Sequence, residues 1–262
     1  MRMNENTIIA MIATQGVEDF LRNALLGLQA SGIDTRIVHV ACPDNDRAQI
    51  EPILHEFGAH AISLDGFCDL PAGSIPQQYA EYGSRDFVAI NWAKLRYLLA
   101  LLEQHRHVVY ADVDVAWIRD PLWYLQSIAR HAPLAFQTEA VSQFPPAWCW
   151  GFVSMIAGDE TRSLFNELLR RRDQRPADAA ELDDQATCCA LLAEDPSWMS
   201  NVYPLPEGLF VNGLGYKGLL KGEPPAAPLQ GELSPFTFHA NWTVGLENKR
   251  ALMQQTGTWL LN

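Results

Sequence analysis

The sequence predicts an α/β fold in which a mixed, mostly parallel, Rossmann-like sheet is flanked by helices. Short apolar, β-favouring runs alternate with segments of helical periodicity, and polar or proline-rich stretches separate them. Such alternation is typical of parallel βαβ units. A chain of 262 residues is long enough for one large α/β domain or two small ones. No internal repeat or low-complexity tract divides the chain, so we predict a single domain over residues 1–262.

Each element is predicted from its own pattern of apolar residues. Strands are expected where apolar runs lie between breakers, at 7–13, 36–41, 59–64, 108–110, 134–137 and 152–157, with a short strand region within 202–213. Helices are expected where apolar residues recur every three or four positions, at 17–30, 49–57, 87–103, 121–130, 160–172, 182–192 and 247–255. The stretches 65–86, 142–151 and 224–235 are rich in proline, glycine or aromatic residues and are predicted to be loops.

Composition and charge exclude several classes of function. A formal net charge of −12 argues against non-specific binding to nucleic acid or to an anionic membrane. The N-terminal residues lack the pattern of a signal peptide, and no apolar run approaches the roughly 18 residues that span a bilayer. None of the five cysteines forms a Cys-x-x-Cys pair. We therefore expect reduced thiols, a cytoplasmic location, no zinc site and no membrane insertion.

Two aspartates follow the apolar run at 108–110. Asp112 and Asp114 are one residue apart, at the point where a buried strand should end. Ligands of open α/β sheets bind at the carboxyl ends of the strands, and paired carboxylates suit Mg²⁺ or Mn²⁺ with substrate phosphates. No Gly-x-Gly-x-x-Gly or Walker A pattern follows any strand, so a dinucleotide or P-loop site loses its main support. The pattern indicates a metal and diphosphate site of a nucleotide-sugar transferase.

Other polar residues allow a structural and a functional interpretation. Lys94 lies within the helix at 87–103 and could be a solvated lysine or a ligand for phosphate. Asp183 or Asp184 could simply cap the helix that begins there. His239 follows Phe238 and could be a packed core histidine. The aromatic residues of 142–151 could stack on a sugar ring or belong to the core.

Several motifs occur in one order along the chain. They are Lys94, the run 110–121, Gly151-Phe152, Asp184-Gln185, the run 205–210, and His239-Ala-Asn-Trp-Thr-Val-Gly245 with Lys249, closing at 257–259. On these motifs the chain resembles the nucleotide-diphospho-sugar transferases of glycosyltransferase family 77, which have a GT-A fold. The resemblance covers nearly the whole chain, from about residue 7 to residue 259.

The resemblance implies a metal-dependent glycosyltransferase that uses a UDP-sugar and retains the anomeric configuration. Asp112, Asp114 and His239 would hold Mn²⁺ or Mg²⁺. The implied donor-binding residues are Thr14, Gln15, Gly16, Lys94, Asp112, Gly151, Asn241, Gly245 and Lys249. The implied catalytic residues are Asp184, which would face the donor sugar, Gln185, which would orient it, and Glu139, which would bind sugar hydroxyls or the acceptor. Residues from about 1 to 120 would bind the nucleotide, and those from about 121 to 262 would complete the metal site and receive the acceptor.

Three questions remain open at the level of sequence. Cys149 stands where the family often has asparagine, so the donor sugar and the acceptor class are undetermined. The acceptor could be a glycan, a small molecule or a protein side chain. Two other functions compete with transfer: metal-dependent hydrolysis of a nucleotide sugar or phosphoester, and a silent GT-A domain used for binding.

Overall fold

The structure is a computed structural model that describes residues 7–68, 79–139, 141, 144–175, 182–219 and 234–262. Ten strands and eight helices lie within these ranges. The strands are β1 (Thr7–Ile12), β2 (Val38–Cys42), β3 (His60–Ser63), β4 (His107–Ala111), β5 (Val115–Trp117), β6 (Leu134–Thr138), β7 (Trp148–Ile156), β8 (Val202–Pro204), β9 (Phe210–Asn212) and β10 (Thr237–His239). The helices are α1 (Glu18–Ala30), α2 (Arg47–Phe57), α3 (Arg85–Gln104), α4 (Leu122–Ile128), α5 (Asp159–Asp173), α6 (Asp184–Glu194), α7 (Gly213–Leu219) and α8 (Leu246–Gln255).

Seven strands form one mixed sheet in the order β3-β2-β1-β4-β7-β6-β8. Four of the neighbouring pairs are parallel and two, β4–β7 and β6–β7, are antiparallel. The strands of this sheet lie between residues 7 and 204. A second sheet of three strands, in the order β5-β10-β9, lies beside it. The predicted α/β class with a mostly parallel sheet is confirmed.

The large sheet is buried on both faces, as parallel sheets usually are. Ile9 and Met11 of β1 pack into one apolar cluster with α1 and α2, whereas Ile8 and Ala10 pack into another with α3, α5 and α6. Because successive side chains of a strand point to opposite faces, a strand buried on both sides is apolar at most positions. This explains the uninterrupted apolar runs by which the strands could be predicted.

One prediction of local structure was wrong. The predicted loop at 142–151 ends at residue 147, because β7 already begins at Trp148. Trp148 is fully buried and Trp150 is 1% exposed, so these two rings belong to the core, which is one of the two interpretations that the sequence allowed. The short helix α7 lies at Gly213–Leu219, where no element was predicted beyond residue 213. Residues 69–78, 142–143 and 224–233 of the predicted loops lie outside the described residues.

None of the helices in the described ranges has both the length and the apolar composition that a bilayer span requires.

Candidate active site

A tight turn connects the central strand β4 to β5 and carries the two aspartates. The Val115 N–H donates to the Asp112 carbonyl (3.0 Å), and the Asp112 N–H donates to the Gly151 carbonyl on β7 (2.8 Å). The Asp114 side chain is 9% exposed, whereas the Asp112 side chain is 39% exposed. The backbone thus fixes both carboxylates at the carboxyl end of β4, the edge where ligands bind in α/β sheets.

His239 reaches the same point from the other end of the chain. It is the last residue of β10 and lies opposite Val115 in the antiparallel β5–β10 pair. Its Nε2 lies 3.3 Å from Asp114 Oδ1 and 3.9 Å from Asp112 Oδ2. One ligand atom from each residue lies within 4.8 Å of the others. This Asp–Asp–His cluster (Asp112, Asp114 and His239) fits one divalent ion, and its mixture of oxygen and imidazole ligands suits Mn²⁺.

Lys249 of α8 adds a positive charge to the Asp–Asp–His cluster. Its Nζ lies 2.6 Å from Asp114 Oδ2. Burial raises the pKa of the Asp114 carboxyl, but the charges of Lys249 and His239 outweigh burial and hold this pKa well below its usual range. Burial lowers the pKa of Lys249 and of His239, and the Asp114 carboxylate raises both overall. Asp114 is therefore ionised at neutral pH and available to a cation.

Gln137, a fully buried residue of β6, orients the imidazole of His239. Its side-chain N–H groups donate to the carbonyls of Phe210 (3.1 Å) and Val211 (3.2 Å), so its Oε1 faces His239 Nδ1 at 2.9 Å. An amide oxygen only accepts, and the Nδ1 of a neutral ring must therefore carry the proton. The lone pair of Nε2 then points toward Asp112 and Asp114. This is the tautomer that ligates a metal through Nε2.

Gly151 of β7 has no side chain, and the Asp–Asp–His cluster occupies the space that a side chain would fill. A Cβ atom at this position would lie 2.3 Å from His239 Cε1 and 2.7 Å from Asp112 Oδ2. Both distances are far shorter than a van der Waals contact. The requirement for glycine at 151 is therefore steric, since the ring and the carboxylate lie directly against the backbone of β7.

A second charged pair lies deeper in the same region. Lys94 of α3 and Asp184 of α6 are 3% and 2% exposed, and their charged atoms are 2.9 Å apart. Lys94 also donates to Asn91 Oδ1 (2.9 Å) and lies 5.2 Å from the centre of the Tyr110 ring. Lys94 is thus a buried partner of Asp184, and the solvated lysine that the sequence allowed is excluded.

Burial sets the ionisation of this pair. It raises the pKa of Asp184 to about 6, although the Lys94 ammonium acts in the opposite direction. Burial also lowers the pKa of Lys94, but the carboxylates of Asp184 and Asp112 raise it overall. Capping of α6 falls to Asp183, whose side chain accepts from the Ala186 N–H (2.7 Å). Asp184 is consequently a buried carboxyl with a perturbed pKa, which is typical of functional sites.

Gln185 and Glu139 flank this region. The Gln185 side-chain carbonyl accepts from the Trp150 N–H (3.1 Å) and so ties α6 to β7. Glu139, which is 6% exposed, accepts a hydrogen bond from the indole N–H of Trp242 and one from the Cys149 thiol, whose pKa is raised well above normal by burial and then by Glu139. The Glu139 carboxylate therefore already accepts hydrogen bonds from two groups of the protein.

A cavity of about 640 Å³ extends along the carboxyl ends of the sheet. This is the size range of ligand sites. Most of the predicted site residues line it: Thr14, Lys94, Asp112, Asp114, Glu139, Gly151, Asp184, Gln185, His239, Asn241 and Lys249. The structure brings these residues together from strands of both sheets, from helices and from the loops between them.

Three predicted residues, Gln15, Gly16 and Gly245, are not among those that line the cavity. The Gln15 N–H donates to Asp46 (2.8 Å) and the Gly16 N–H donates to Glu18 (2.9 Å). Both N–H groups are thus already used within the protein. Gly245 precedes α8 with a φ of 87° and turns the chain toward Lys249.

Sequence reasoning did not predict two further residues of the site, Gln137 and Trp242. A weak signal for Gln137 was available, because it is the one amide in an otherwise apolar strand run. Trp242 belonged to the motif that begins at His239, but nothing in the motif indicated that this residue is 51% exposed and lines the cavity.

A profile of the nucleotide-diphospho-sugar transferases matches residues 51–253, well over half of the chain. The chain belongs to this transferase family. The match includes the Asp–Asp–His cluster, the buried Lys94–Asp184 pair and Lys249. The predicted family, a family of glycosyltransferases, is confirmed.

Among the relatives of this transferase is UDP-D-xylose:L-fucose alpha-1,3-D-xylosyltransferase 3 of Arabidopsis thaliana, which is 27% identical over 123 residues. That match covers 47% of this chain and 30% of the plant protein. A second relative from the same plant, UDP-D-xylose:L-fucose alpha-1,3-D-xylosyltransferase MGP4, is 25% identical over 120 residues, which are 46% of this chain and 31% of that protein. This chain thus aligns with about a third of the length of these plant proteins.

Solved structures share the fold of the transferase along most of its length. The galactosyltransferase LgtC in complex with donor and acceptor sugar analogues has a TM-score of 0.60 at 13% identity, over 97% of this chain and 96% of that one. Mouse xyloside xylosyltransferase 1 has a TM-score of 0.58 at 13% identity, over 90% and 98%. The predicted GT-A fold is confirmed.

Proposed function

We propose that this transferase is a metal-dependent enzyme that moves a sugar from a UDP-sugar to an acceptor hydroxyl with retention of anomeric configuration. The observation that carries the proposal is the Asp–Asp–His cluster with the ammonium of Lys249 at its side. Carboxylates, an imidazole and an ammonium at the carboxyl edge of an α/β sheet suit a cation bound together with a diphosphate. A bound Mn²⁺ or Mg²⁺ would supply Lewis-acid stabilisation of the charge on the leaving UDP.

The residues of the chain take distinct roles in this proposal. Asp112, Asp114 and His239 hold the metal, and Lys249 exchanges its Asp114 contact for the diphosphate. Lys249 is the partner with the greater freedom to do so, because 19% of its side chain is exposed, against 9% for Asp114. Thr14 at the end of β1 is the candidate contact for the nucleoside, since it lines the cavity at the carboxyl end of the strand next to β4.

Asp184 is the carboxylate proposed to face the donor sugar. Lys94 keeps a negative charge tolerable in this buried position, and Gln185 ties the helix that bears Asp184 to β7. Asn241 Oδ1 accepts from the Gly213 N–H (2.9 Å) and so holds the segment that follows His239. The prediction that Glu139 binds sugar hydroxyls or the acceptor becomes a proposal that it acts through Trp242.

The plant relatives suggest which donor to examine first. Their names specify UDP-D-xylose as donor and L-fucose as acceptor. UDP-xylose is therefore the first donor to test, followed by the UDP forms of arabinose, glucose and galactose. A cytoplasmic location, and with it an acceptor in the same compartment, remains part of the proposal.

The decisive experiment measures UDP release from these four donors, in Mn²⁺ or in EDTA, with wild type, Asp114→Ala and a control variant. Asp159→Ala is the matched control, because its carboxylate is 95% exposed on α5, outside the cavity. We expect slow release from one donor that requires Mn²⁺, persists in the control and falls at least about 10²-fold in Asp114→Ala.

Addition of a glycoside acceptor separates the competing functions. Transfer predicts a new glycoside and faster UDP release, and retention predicts that its anomeric proton signal matches the donor configuration. A hydrolase would release UDP at the same rate without a glycoside product. A binding module would bind UDP without releasing it from any donor, and either result would contradict the proposal.

A further inference from the structure

Trp242 has a backbone conformation that its side chain disfavours. It lies in the loop between β10 and α8 with a φ of 55°. Within the described ranges, every other residue with a positive φ is a glycine. A bulky L residue is rarely found in this region, and such outliers persist only where neighbouring groups hold them and often at functional sites.

Two polar contacts hold Trp242 in place, and a third holds the neighbouring Thr243. Its indole N–H donates to the buried carboxylate of Glu139, and its carbonyl accepts from Lys217 Nζ (3.1 Å). The same ammonium donates to the Thr243 hydroxyl (2.9 Å). The indole is therefore fixed at its N–H edge and at its backbone, although 51% of the residue is exposed. Such a ring offers a flat apolar face at a defined position.

Trp242 lines the same cavity as the Asp–Asp–His cluster. Tyr82, which is 71% exposed, lines this cavity as well. Tyr79 also lines it, and its Cβ atom lies 3.7 Å from the position that a Cβ atom of Gly16 would take. The cavity therefore reaches from the end of β1, where the nucleotide is proposed to bind, to the loop that carries Trp242.

We propose that Trp242 is the stacking platform of the acceptor subsite and that the acceptor presents a sugar ring. The inference rests on the proposed function, because the nucleotide, the diphosphate and the donor sugar occupy the cavity from Thr14 to Asp184. The C–H face of a sugar ring packs on an indole as an apolar surface, while the exposed hydroxyl of Tyr82, on the same cavity, is available to the sugar hydroxyls. A serine or threonine acceptor in an extended peptide has no ring face that could stack there.

Variants at position 242 test the platform, with a surface tryptophan as the matched control. Trp242→Ala removes the ring, and Trp242→Phe keeps a ring without the N–H that Glu139 accepts. Trp123→Ala removes a tryptophan that is 62% exposed on α4 and does not line the cavity. Thermal unfolding and the affinity for UDP with Mn²⁺ are measured for all of them.

Saturation-transfer NMR is the measurement that needs no turnover. Methyl xyloside, methyl fucoside and methyl galactoside serve as probes in the presence of UDP and Mn²⁺. We expect at least one glycoside to receive saturation from wild type and from Trp123→Ala. Trp242→Ala should weaken its binding by roughly 5- to 100-fold, the range known for loss of an aromatic stacking partner, and Trp242→Phe should weaken it less.

The outcomes separate this inference from the proposed function. A raised acceptor KM in Trp242→Ala with unchanged UDP affinity supports the platform. Equal glycoside binding by wild type and Trp242→Ala overturns it, and so does a loss of UDP affinity, which would assign the ring to the nucleotide base. If wild type binds a glycoside through Trp242 but releases UDP from no donor, the proposed function fails while the sugar platform stands.

Discussion

Asp183 and Asp184 are chemically identical neighbours that lie in opposite environments. Asp183 caps α6 through the Ala186 N–H, whereas Asp184 is 2% exposed and paired with Lys94. A cap requires only a side chain at a helix start, and either residue could have provided it. In the structure Asp183 caps the helix, and Asp184 is the carboxyl whose pKa is perturbed.

The pH dependence of the reaction should follow the ionisation of Asp184. Burial raises its pKa to about 6, so the carboxyl is neutral below that pH and becomes charged as the pH rises. If the carboxylate faces the donor sugar, the rate of UDP release should rise with pH through about 6. Asp184→Asn should lower the rate at a pH of about 8 by about 10²-fold or more and remove this rise. A pH–rate profile of both proteins is the measurement.

If the rate of UDP release rose with pH in Asp184→Asn as it does in wild type, another titrating group would be the cause of the rise. Asp183→Asn is the control, because an asparagine retains the capping acceptor. It should keep the rise with pH but move its midpoint slightly lower, because the charge of Asp183 contributes to raising the pKa of Asp184.

Gln137 should control metal affinity through the tautomer of His239. Gln137→Leu removes both the acceptor for Nδ1 and the bonds to the Phe210 and Val211 carbonyls. Gln137→Glu loses the same amide donors but keeps an oxygen that accepts from Nδ1. We expect Mn²⁺ affinity, measured by electron paramagnetic resonance, to fall about 10- to 100-fold in Gln137→Leu and to change far less in Gln137→Glu. Equal losses in the two variants would indicate that Gln137 has only a packing role.

At the scale of elements, strand register determines the geometry of the site. β4 pairs with β7 so that Ala111 lies opposite Phe152, which places Gly151 against Asp112. β10 pairs with β5 so that His239 lies opposite Val115, which places the imidazole against Asp114. A slip of one residue in either pair would turn the ligand to the other face of its sheet.

A methyl group at position 151 should therefore abolish metal binding. In Gly151→Ala the new Cβ would lie 2.3 Å from the His239 ring and 2.7 Å from an Asp112 oxygen, so both ligands must move. Substitutions that only disturb the groups around a metal ligand already lower metal affinity by about 10- to 100-fold. Because Gly151→Ala displaces two ligands themselves, we expect Mn²⁺ affinity to fall by at least about 10²-fold. Gly208→Ala is the matched control, since nothing lies within 4 Å of its Cβ position. Mn²⁺ titrations of the two variants and their circular dichroism spectra test this, and wild-type affinity in Gly151→Ala would refute the arrangement.

At the scale of the whole molecule, the site joins distant parts of the chain. Asp112 and Asp114 follow a strand of the large sheet, while His239 and Lys249 come from the C-terminal strand and helix. His239 and Lys249 both contact Asp114. A ligand that binds here bridges both halves of the sequence and should stabilise the molecule against global unfolding.

Mn²⁺ with UDP should therefore raise the melting temperature. A ligand at about 100 times its Kd stabilises the folded state by about 2.7 kcal/mol. For a chain of this size each kcal/mol corresponds to roughly 2–4 °C, so we expect a shift of roughly 5–10 °C by differential scanning fluorimetry. Asp114→Asn should show less than half of this shift, and Asp159→Asn should show all of it. An equal shift in Asp114→Asn would exclude the cluster as the binding site.

The sequence by itself determined the α/β class, the order of most elements and the position of Asp112 and Asp114 after a buried strand. These features depend on local periodicity, because an apolar run predicts a buried strand wherever it pairs. The family motifs also indicated His239, Lys249 and Asp184.

Only the tertiary structure decided how these residues act on one another. Contacts between residues far apart in sequence decide four features of the site. They are the different roles of Asp183 and Asp184, the pairing of Lys94, the tautomer that Gln137 imposes and the fixed indole of Trp242. Such contacts follow from strand register and helix packing. Local periodicity cannot specify them, since it determines which face of an element is buried but not which partner lies against that face.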